Sequence, residues 1–378
     1  MAANASPAAA SPAAVIPECH GGNVASVAQR LGCTPADLLD ASASLVPFAP
    51  SVRMAAALVA AAFGSARRVY PDRGYAGFCA AAARLHGLPT GAVLAGNGAS
   101  ELLTWAARDA AAVGQSVVFQ PGFADYGRAL RCWGGAVLPQ PLELEWSAGF
   151  PQPLPEPAPG EVLWITNPHN PTGRLWSCAS LEPMLERYRL VVCDEAFLPL
   201  VPGGEAQSLI PWLGRYPNLI VIRSLTKLYG VAGLRLGYAL ASPERLRRWA
   251  SWRDPWPVNG LAASLGEAVL ANPQRYGRWC GRAQAWVAAE GAWLAGQLAR
   301  LPGLVPMPSA ANYLLLRSSQ SLQPLREALE QRHRILLRDC RSFPELGANW
   351  LRLGYLSRRN NRRLVAALAE EGGRLGLA

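Results

Sequence analysis

Short apolar runs alternate with longer helical stretches through the first two thirds of this chain of 378 residues. The runs are rich in leucine and β-branched side chains, which is typical of buried strands. They occupy residues 92–95, 116–119, 162–166, 190–193, 219–222 and 236–240. This alternation predicts an α/β fold, in which a mostly parallel sheet is covered by helices. Ligands of such sheets bind at the carboxyl ends of the strands, so the residues that follow each run are candidates for function.

The pattern changes after about residue 255, where the chain becomes more helical and offers strands at residues 313–316 and 350–353. We expect a smaller α+β domain there. The proline-rich residues 141–160 are predicted to form a loop. The first residues are rich in Ala, Ser and Pro and lack the basic start of a secretory signal. The predicted division is a disordered leader at 1–17, a segment at 18–50 that joins the small domain, a large domain at 51–254 and a small C-terminal domain at 255–378.

Composition argues against several classes of protein. Hydrophobic residues make up 51% of the chain, which can supply a sizeable core, and no apolar stretch is long enough to predict a membrane span. The net charge is +10, but the arginines are spread along the whole chain, which suits attraction of anionic substrates better than nucleic-acid binding. The eight cysteines form no Cys-x-x-Cys pair. We therefore expect reduced thiols in a cytoplasmic enzyme and no metal site.

Lysine occurs once, at Lys227, while the other 35 of the 36 Lys and Arg residues are arginine. A guanidinium stays protonated in proteins and cannot form a Schiff base. The lone primary amine of the side chains is therefore a candidate for covalent amine chemistry. Composition alone leaves open the alternative that one lysine has survived by drift on the surface.

The segment around Lys227 reads Ser-Leu-Thr-Lys-Leu-Tyr-Gly-Val-Ala-Gly-Leu-Arg over residues 224–235 and follows the apolar run 219–222. Hydroxyl, lysine, glycine and arginine at these spacings resemble the cofactor attachment site of the class I/II aminotransferase family. The resemblance implies pyridoxal 5'-phosphate (PLP) joined to Lys227. It also implies PLP fold type I, with a mostly parallel sheet of seven-stranded type between helices and a smaller α+β C-terminal domain.

Glycines and small polar residues open the helix that follows the first run, at residues 96–101. Unpaired N–H groups and the helix dipole favour an anion at such a start, although Gly-Asn-Gly is also an ordinary turn. In the resembled family these positions, together with groups near the lysine, hold the cofactor phosphate. The resemblance assigns this role to Ala99, Ser100, Ser224 and Arg235. The choice between the hydroxyls of Ser224 and Thr226 for the closer contact stays open.

Three further positions belong to the expected cofactor site. Asp194 ends the run 190–193, and from the residues alone it could cap a helix, bind magnesium or pair with a pyridine nitrogen. The magnesium interpretation lacks a P-loop, because the only lysine lies elsewhere. The resemblance implies that Asp194 pairs with the protonated ring nitrogen of the cofactor. It also implies that Asn170, in Asn-Pro-His-Asn-Pro-Thr-Gly, donates to the phenolic oxygen and that Phe123 stacks on the ring.

Tyr70 and Arg352 complete the resemblance to the general family. Tyr70, in Tyr-Pro-Asp, could simply begin a helix. In the family a tyrosine here reaches the cofactor phosphate of the neighbouring subunit, which implies a homodimer with shared active sites. Arg352, in Leu-Arg-Leu-Gly, matches the arginine that holds the α-carboxylate of the substrate, and a planar fork suits that bidentate contact.

The start of the chain carries a finer resemblance. His20-Gly-Gly-Asn23 and Phe197 resemble the threonine-phosphate decarboxylases of cobalamin biosynthesis, which implies that His20 and Asn23 contact the substrate. Histidinol-phosphate aminotransferases usually have tyrosine where Phe197 stands. Ser44 and Val46 depart from the decarboxylase pattern, which has asparagine at both positions, and we expect them to border the substrate pocket. The hypotheses are a decarboxylase, an aminotransferase such as one for histidinol phosphate, and a non-catalytic PLP-binding protein.

Overall fold

The computed structural model describes residues 20–377, so the leader predicted at residues 1–17 lies outside the described chain. In chain order the strands are β1 (Leu39–Asp40), β2 (Val93–Asn97), β3 (Ser116–Gln120), β4 (Val137–Pro141), β5 (Val162–Thr166), β6 (Leu190–Asp194), β7 (Leu219–Ser224), β8 (Leu236–Leu240), β9 (Val305–Pro306), β10 (Tyr313–Arg317), β11 (Ile335–Leu336), β12 (Arg338–Asp339) and β13 (Trp350–Gly354). The helices are α1 (Val24–Arg30), α2 (Val52–Phe63), α3 (Ala76–His86), α4 (Gly98–Val113), α5 (Ala124–Cys132), α6 (Cys178–Arg187), α7 (Leu225–Tyr229), α8 (Pro243–Trp252), α9 (Gly260–Leu270), α10 (Pro273–Leu298), α11 (Gln323–His333) and α12 (Arg358–Arg374). None of these helices is long and apolar enough to cross a membrane.

A seven-stranded sheet forms the centre of the large domain, with the strand order β2-β8-β7-β6-β5-β3-β4. The pairs from β7 through β4 are parallel, whereas β8 runs antiparallel to both of its neighbours. Every residue of β5, β6 and β7 is buried, as continuous apolar runs require in a sheet covered on both faces. The predicted α/β fold with a mostly parallel sheet is therefore confirmed.

Alternate side chains of the central strands point to opposite faces of the sheet. On one face Val192 and Ile222 pack in a cluster with residues of α4 and α5. On the other face Val191 and Val221 pack in the larger cluster, which extends into the small domain. The same alternation continues into the strand ends. Consecutive polar residues at the ends of β6 and β7 are therefore directed to opposite sides of the sheet.

A four-stranded antiparallel sheet, in the order β12-β13-β10-β9, lies in the C-terminal part. In addition, β1 pairs in parallel with β11, so the segment before the large domain adds a strand to the C-terminal part. We propose the domain division predicted above on the basis of these pairings, with residues 20–50 attached to the small domain.

Candidate active site

A cavity of about 320 Å³ lies at the carboxyl ends of β5, β6 and β7, beside the start of α4. Its wall includes ten of the twelve site residues predicted from the sequence. They are His20, Ala99, Ser100, Phe123, Asn170, Asp194, Ser224, Lys227, Arg235 and Arg352. The hydroxyl-bearing residues Ser224 and Thr226 both line it, so the structure leaves the choice between them open.

Two nominated residues lie elsewhere. Asn23 lines a second cavity, which shares His20, Gly21, Ser42 and Arg338 with the first. Tyr70 is 76% exposed and stacks on Trp256, with ring centroids 4.3 Å apart. A tyrosine on the outside of its own protomer can reach a cofactor only across an interface, so its assigned role stays a prediction.

Lys227 lies on α7, a short helix that starts directly after β7. Ser224 caps this helix by accepting a hydrogen bond from the N–H of Thr226 at 3.3 Å, and Gly230 ends it in the left-handed conformation. Within residues 20–377, Lys227 Nζ forms no hydrogen bond or ion pair, and it lies 5.6 Å from the centre of the Phe197 ring. Burial, aided by the positive charges of Arg352 and Arg235, lowers the pKa of Lys227 to about 8. At pH 7 about a tenth of this amine is therefore neutral and nucleophilic, far more than for a lysine with its ordinary pKa.

The start of α4 forms a site for an anion beside this amine. Gly98 has a φ of 73°, and a Cβ there would lie 2.5 Å from Nη2 of Arg235. A Cβ on Gly237 would lie 3.0 Å from the backbone nitrogen of Ala99. Glycine at both positions thus lets a guanidinium and a strand approach the first N–H groups of a 16-residue helix. These donors and the nearby hydroxyls fit a phosphate group.

Asp194 is a buried carboxylate that also lines the cavity. It accepts hydrogen bonds from the N–H of Ala196 at 3.0 Å and from the hydroxyl of Tyr126 at 2.8 Å. Burial raises the pKa of Asp194 to about 6, although these hydrogen bonds lower it in part. Among residues 20–377 no lysine, arginine or histidine forms an ion pair with it. A buried carboxylate without a cationic partner fits the protonated nitrogen of a pyridine ring.

Arg352 orients Asn170 and keeps one donor available. Its Nη1 donates to Oδ1 of Asn170 at 2.6 Å, and its Nη2 donates to the carbonyl of Ser42 at 3.1 Å. The amide NH₂ of Asn170 is thereby left as the group that can donate to a ligand. Nε of Arg352 is buried and has no hydrogen-bond partner in the described chain. Within residues 20–377 this guanidinium also has no carboxylate partner, so it fits an anionic substrate group.

The aromatic side of the cavity is formed by Phe123 and His20, whose ring centroids lie 5.7 Å apart. Burial lowers the pKa of His20, so its imidazole is mainly neutral at neutral pH. Phe123 is the N-cap residue of α5 and has a flat apolar ring, as the predicted stacking role requires.

The cavity wall also includes four residues without a predicted role, Arg338, Phe343, Ser42 and Ala43. Arg338 lies directly opposite Arg352 in the pairing of β12 with β13. Arg338 reaches the cavity because β12 pairs with β13, and this pairing leaves no local sequence pattern that would separate Arg338 from the other arginines. Ser44 and Val46, which we expected to border the substrate pocket, are buried and do not line this cavity, so that expectation stays a prediction.

The sequence profile of the class I and II aminotransferases matches residues 37–368. Over 363 residues the chain is 34% identical to a threonine-phosphate decarboxylase of Salmonella typhimurium, covering 94% of this chain and 97% of that protein. Over 358 residues it is 32% identical to a histidinol-phosphate aminotransferase of Symbiobacterium thermophilum, covering 93% of this chain and 95% of that protein.

Solved structures share the fold. The histidinol-phosphate aminotransferase of Sinorhizobium meliloti in complex with pyridoxal-5'-phosphate has a TM-score of 0.80 at 22% identity, covering 94% of this chain and 95% of that one. The L-threonine-O-3-phosphate decarboxylase of Porphyromonas gingivalis has a TM-score of 0.74 at 22% identity, covering 87% and 97%. The chain therefore belongs to the class I and II aminotransferases, a family of enzymes that depend on PLP.

Proposed function

We propose that this protein is a decarboxylase of a phosphorylated amino acid, similar in activity to the threonine-phosphate decarboxylases, and that it serves cobalamin biosynthesis in the cytoplasm. The observation that carries the proposal is the cross-strand pair Arg338 and Arg352, whose side chains both line the cavity of Lys227. Threonine phosphate bears a carboxylate and a phosphate, and each guanidinium can hold one anion.

The residues of the cavity have distinct parts in this proposal. Bound PLP supplies a ring that accepts electrons from a carbanion at the substrate Cα. Lys227 anchors the cofactor and, as a free amine with a pKa of about 8, can hold or return a proton at Cα. Asp194 keeps the ring nitrogen protonated. The start of α4, with Ser224 and Arg235, binds the cofactor phosphate.

Orientation of the substrate decides which bond breaks. The bond to Cα that stands perpendicular to the ring is weakened, so an upright carboxylate leads to decarboxylation and an upright Cα–H leads to transamination. Arg352 and Arg338 fix two points of the substrate and therefore its rotation about Cα. The alternative is an aminotransferase, for example of histidinol phosphate. Histidinol phosphate has a phosphate but no carboxylate, so it would use only one of the two guanidinium groups, and the second would serve the glutamate or 2-oxoglutarate of the other half-reaction.

A substrate panel on PLP-loaded protein tests the proposal. We expect carbon dioxide release from O-phospho-L-threonine without any added keto acid. Turnover that requires 2-oxoglutarate or glutamate, with no carbon dioxide released, would establish the alternative. Cofactor binding with no turnover of any amino acid would indicate a non-catalytic protein.

We further propose a homodimer with shared active sites. Large apolar side chains of α2 and the following loop are exposed, as a subunit interface would require. They are Val52, Val59, Phe63, Val69 and Tyr70. If Tyr70 serves the partner's site, mixing inactive Lys227→Ala protein with inactive Tyr70→Ala protein should restore up to about a quarter of the wild-type activity, because half of the dimers then contain one complete site. No recovery after verified subunit exchange would reject the shared site.

A further inference from the structure

Tyr126 lies outside the cavity wall but contacts three of the residues that form it, Asp194, Thr166 and Phe123. Its ring is buried in the cluster between the sheet and α4, and its hydroxyl lies at the ends of β5 and β6. The hydroxyl donates to Oδ2 of Asp194 at 2.8 Å and lies 2.7 Å from Oγ1 of Thr166. Thr166 and Asp194 are direct partners in the pairing of these two strands. One phenol therefore connects both strand ends.

The directions of these hydrogen bonds follow from the protons available. A phenol has one proton, and the carboxylate of Asp194 can only accept, so the proton of Tyr126 is directed to Asp194. The lone pair of Tyr126 is then available to accept the proton of Thr166. The result is a chain from Thr166 through Tyr126 to Asp194. Burial, together with the charge of Asp194, raises the pKa of Tyr126 well above its ordinary value, so the phenol remains a donor.

The same ring supports the aromatic side of the cavity. Tyr126 meets Phe123 edge to face, with centroids 5.5 Å apart and an interplanar angle of 83°. Behind it, the ring of Trp164 lies 5.3 Å away. Phe123 is therefore held between the cavity and a rigid buried ring.

We propose that Tyr126 is a positioning residue for the cofactor. It keeps the carboxylate of Asp194 ionised and aimed into the cavity, and it fixes the plane of Phe123. This inference rests on the proposed roles of Asp194 and Phe123 toward the ring of PLP. It concerns neither the substrate nor the choice between decarboxylation and transamination.

The test compares Tyr126→Phe with Tyr188→Phe. Tyr188 is also buried and also donates one hydrogen bond, at 2.8 Å to the carbonyl of Ala158, but it does not line the cavity. Each variant loses one phenolic hydroxyl, and Tyr126→Phe should lose somewhat more thermal stability because that hydroxyl has two partners and Tyr188 has one. Only Tyr126→Phe should weaken PLP binding, by about 10-fold or more, because a hydrogen bond to a charged group is lost.

A second measurement separates positioning from stability. The pH midpoint of the absorbance change of bound PLP should move upward in Tyr126→Phe by about half a unit or more, because a ring nitrogen that is less firmly protonated withdraws fewer electrons from the nitrogen of Lys227. Thr166→Val should move it in the same direction by less. If Tyr126→Phe does not fold, the change of the pH midpoint in Thr166→Val tests whether the chain of hydrogen bonds through Tyr126 acts on the cofactor.

Failure of the proposed role of Tyr126 can be distinguished from failure of the proposed function. Wild-type protein that binds no PLP contradicts the proposed function itself. Wild-type protein that binds PLP, with the affinity and midpoint of Tyr126→Phe equal to those of Tyr188→Phe, overturns only the role of Tyr126. An unchanged midpoint in Thr166→Val also counts against the chain of hydrogen bonds.

Discussion

At the ends of β6 and β7, the charged side chains on the two sides of the sheet differ in whether they form ion pairs. Asp194 and Ser224 face the cavity, whereas their chain neighbours Glu195 and Arg223 are directed to the other side. Within residues 20–377 the cavity side leaves Asp194 and Lys227 without ion pairs. On the far side of the described chain, Arg223 pairs with both Glu195 and Glu205.

The far side is a buried ion cluster. Arg223 donates through Nε to Glu195 at 2.9 Å and through both terminal nitrogens to Glu205, at 2.7 and 2.9 Å. Ser208 donates to Glu195 at 2.8 Å, so the loop that carries Glu205 and Ser208 is tied to both strands. Burial alone would lower the pKa of Arg223, but the carboxylates of Glu205 and Glu195 raise it well above its ordinary value.

The difference separates a structural cluster from a binding site. A fully paired cluster satisfies its own charges and fixes the strand ends, whereas unpaired buried charges have a free energy cost that a ligand can offset. Variants of the far side should therefore change stability first. Variants of the cavity side should change ligand binding and activity first.

The largest effect is expected for Lys227→Arg. The substitution keeps the positive charge but removes the amine that we propose bonds to the cofactor and carries a proton, so turnover should fall by about 10³-fold or more. Borohydride reduction of PLP-loaded wild-type protein should label one peptide containing Lys227, and the variant should yield none. Retained turnover with a normal cofactor spectrum would contradict the assigned role.

The next largest effect is expected for Arg223→Met on the far side. This change leaves two carboxylates without their cation, one of them fully buried, so the free energy of unfolding should fall by about 3–5 kcal/mol. Denaturant unfolding of cofactor-free protein measures it. Arg352→Met, on the cavity side, should cost clearly less, because no ion pair is broken. An equal fall in the free energy of unfolding for the two variants would contradict the proposed difference between the two sides of the sheet.

Asp194→Asn should change the pH dependence of stability. The folded-state pKa of about 6 lies above the ordinary value of 3.8, so the contribution of Asp194 is complete below about pH 4 and is lost as the pH rises through 6. The stability of the variant relative to wild-type cofactor-free protein should therefore improve between pH 4 and 7 by up to about 3 kcal/mol. A stability difference between variant and wild type that does not change with pH would show that folding does not raise the pKa of Asp194.

The smallest effect is expected for Arg352→Lys. A lysine keeps the charge but cannot form a planar fork, so KM for the amino-acid substrate should rise about 10-fold, with little change in the melting temperature. Arg317→Lys is the matched control, because Arg317 pairs with the exposed Glu145 and does not line the cavity. A lower melting temperature without a change in KM would assign Arg352 to structure.

Local sequence patterns predicted most of the large sheet and the residues that follow its strands. Strands β5 and β8 have the predicted bounds, because continuous apolar runs are typical of buried strands. The edge strand β4 was not predicted, since Pro139 and Pro141 oppose a strand assignment that only an edge position tolerates.

Contacts between distant parts of the chain could not be predicted from the sequence. The carbonyl of Ser42 meets Arg352 across 310 positions of sequence, and Tyr126 meets Asp194 across 68. Neither contact leaves a local pattern, because each depends on how whole elements pack. The same reason explains why Arg338 was missed.

The placement of Lys227 has a practical consequence. All other positive side chains of this protein are guanidinium groups, which do not react with ordinary acylating reagents under mild conditions. Apart from the amino terminus, an activated ester thus has one amine to convert into a stable amide, and that amine lies inside the cavity. If the cofactor bonds to Lys227 as proposed, acylation of this amine measures occupancy: it should proceed in empty protein and stop once the cofactor is bound.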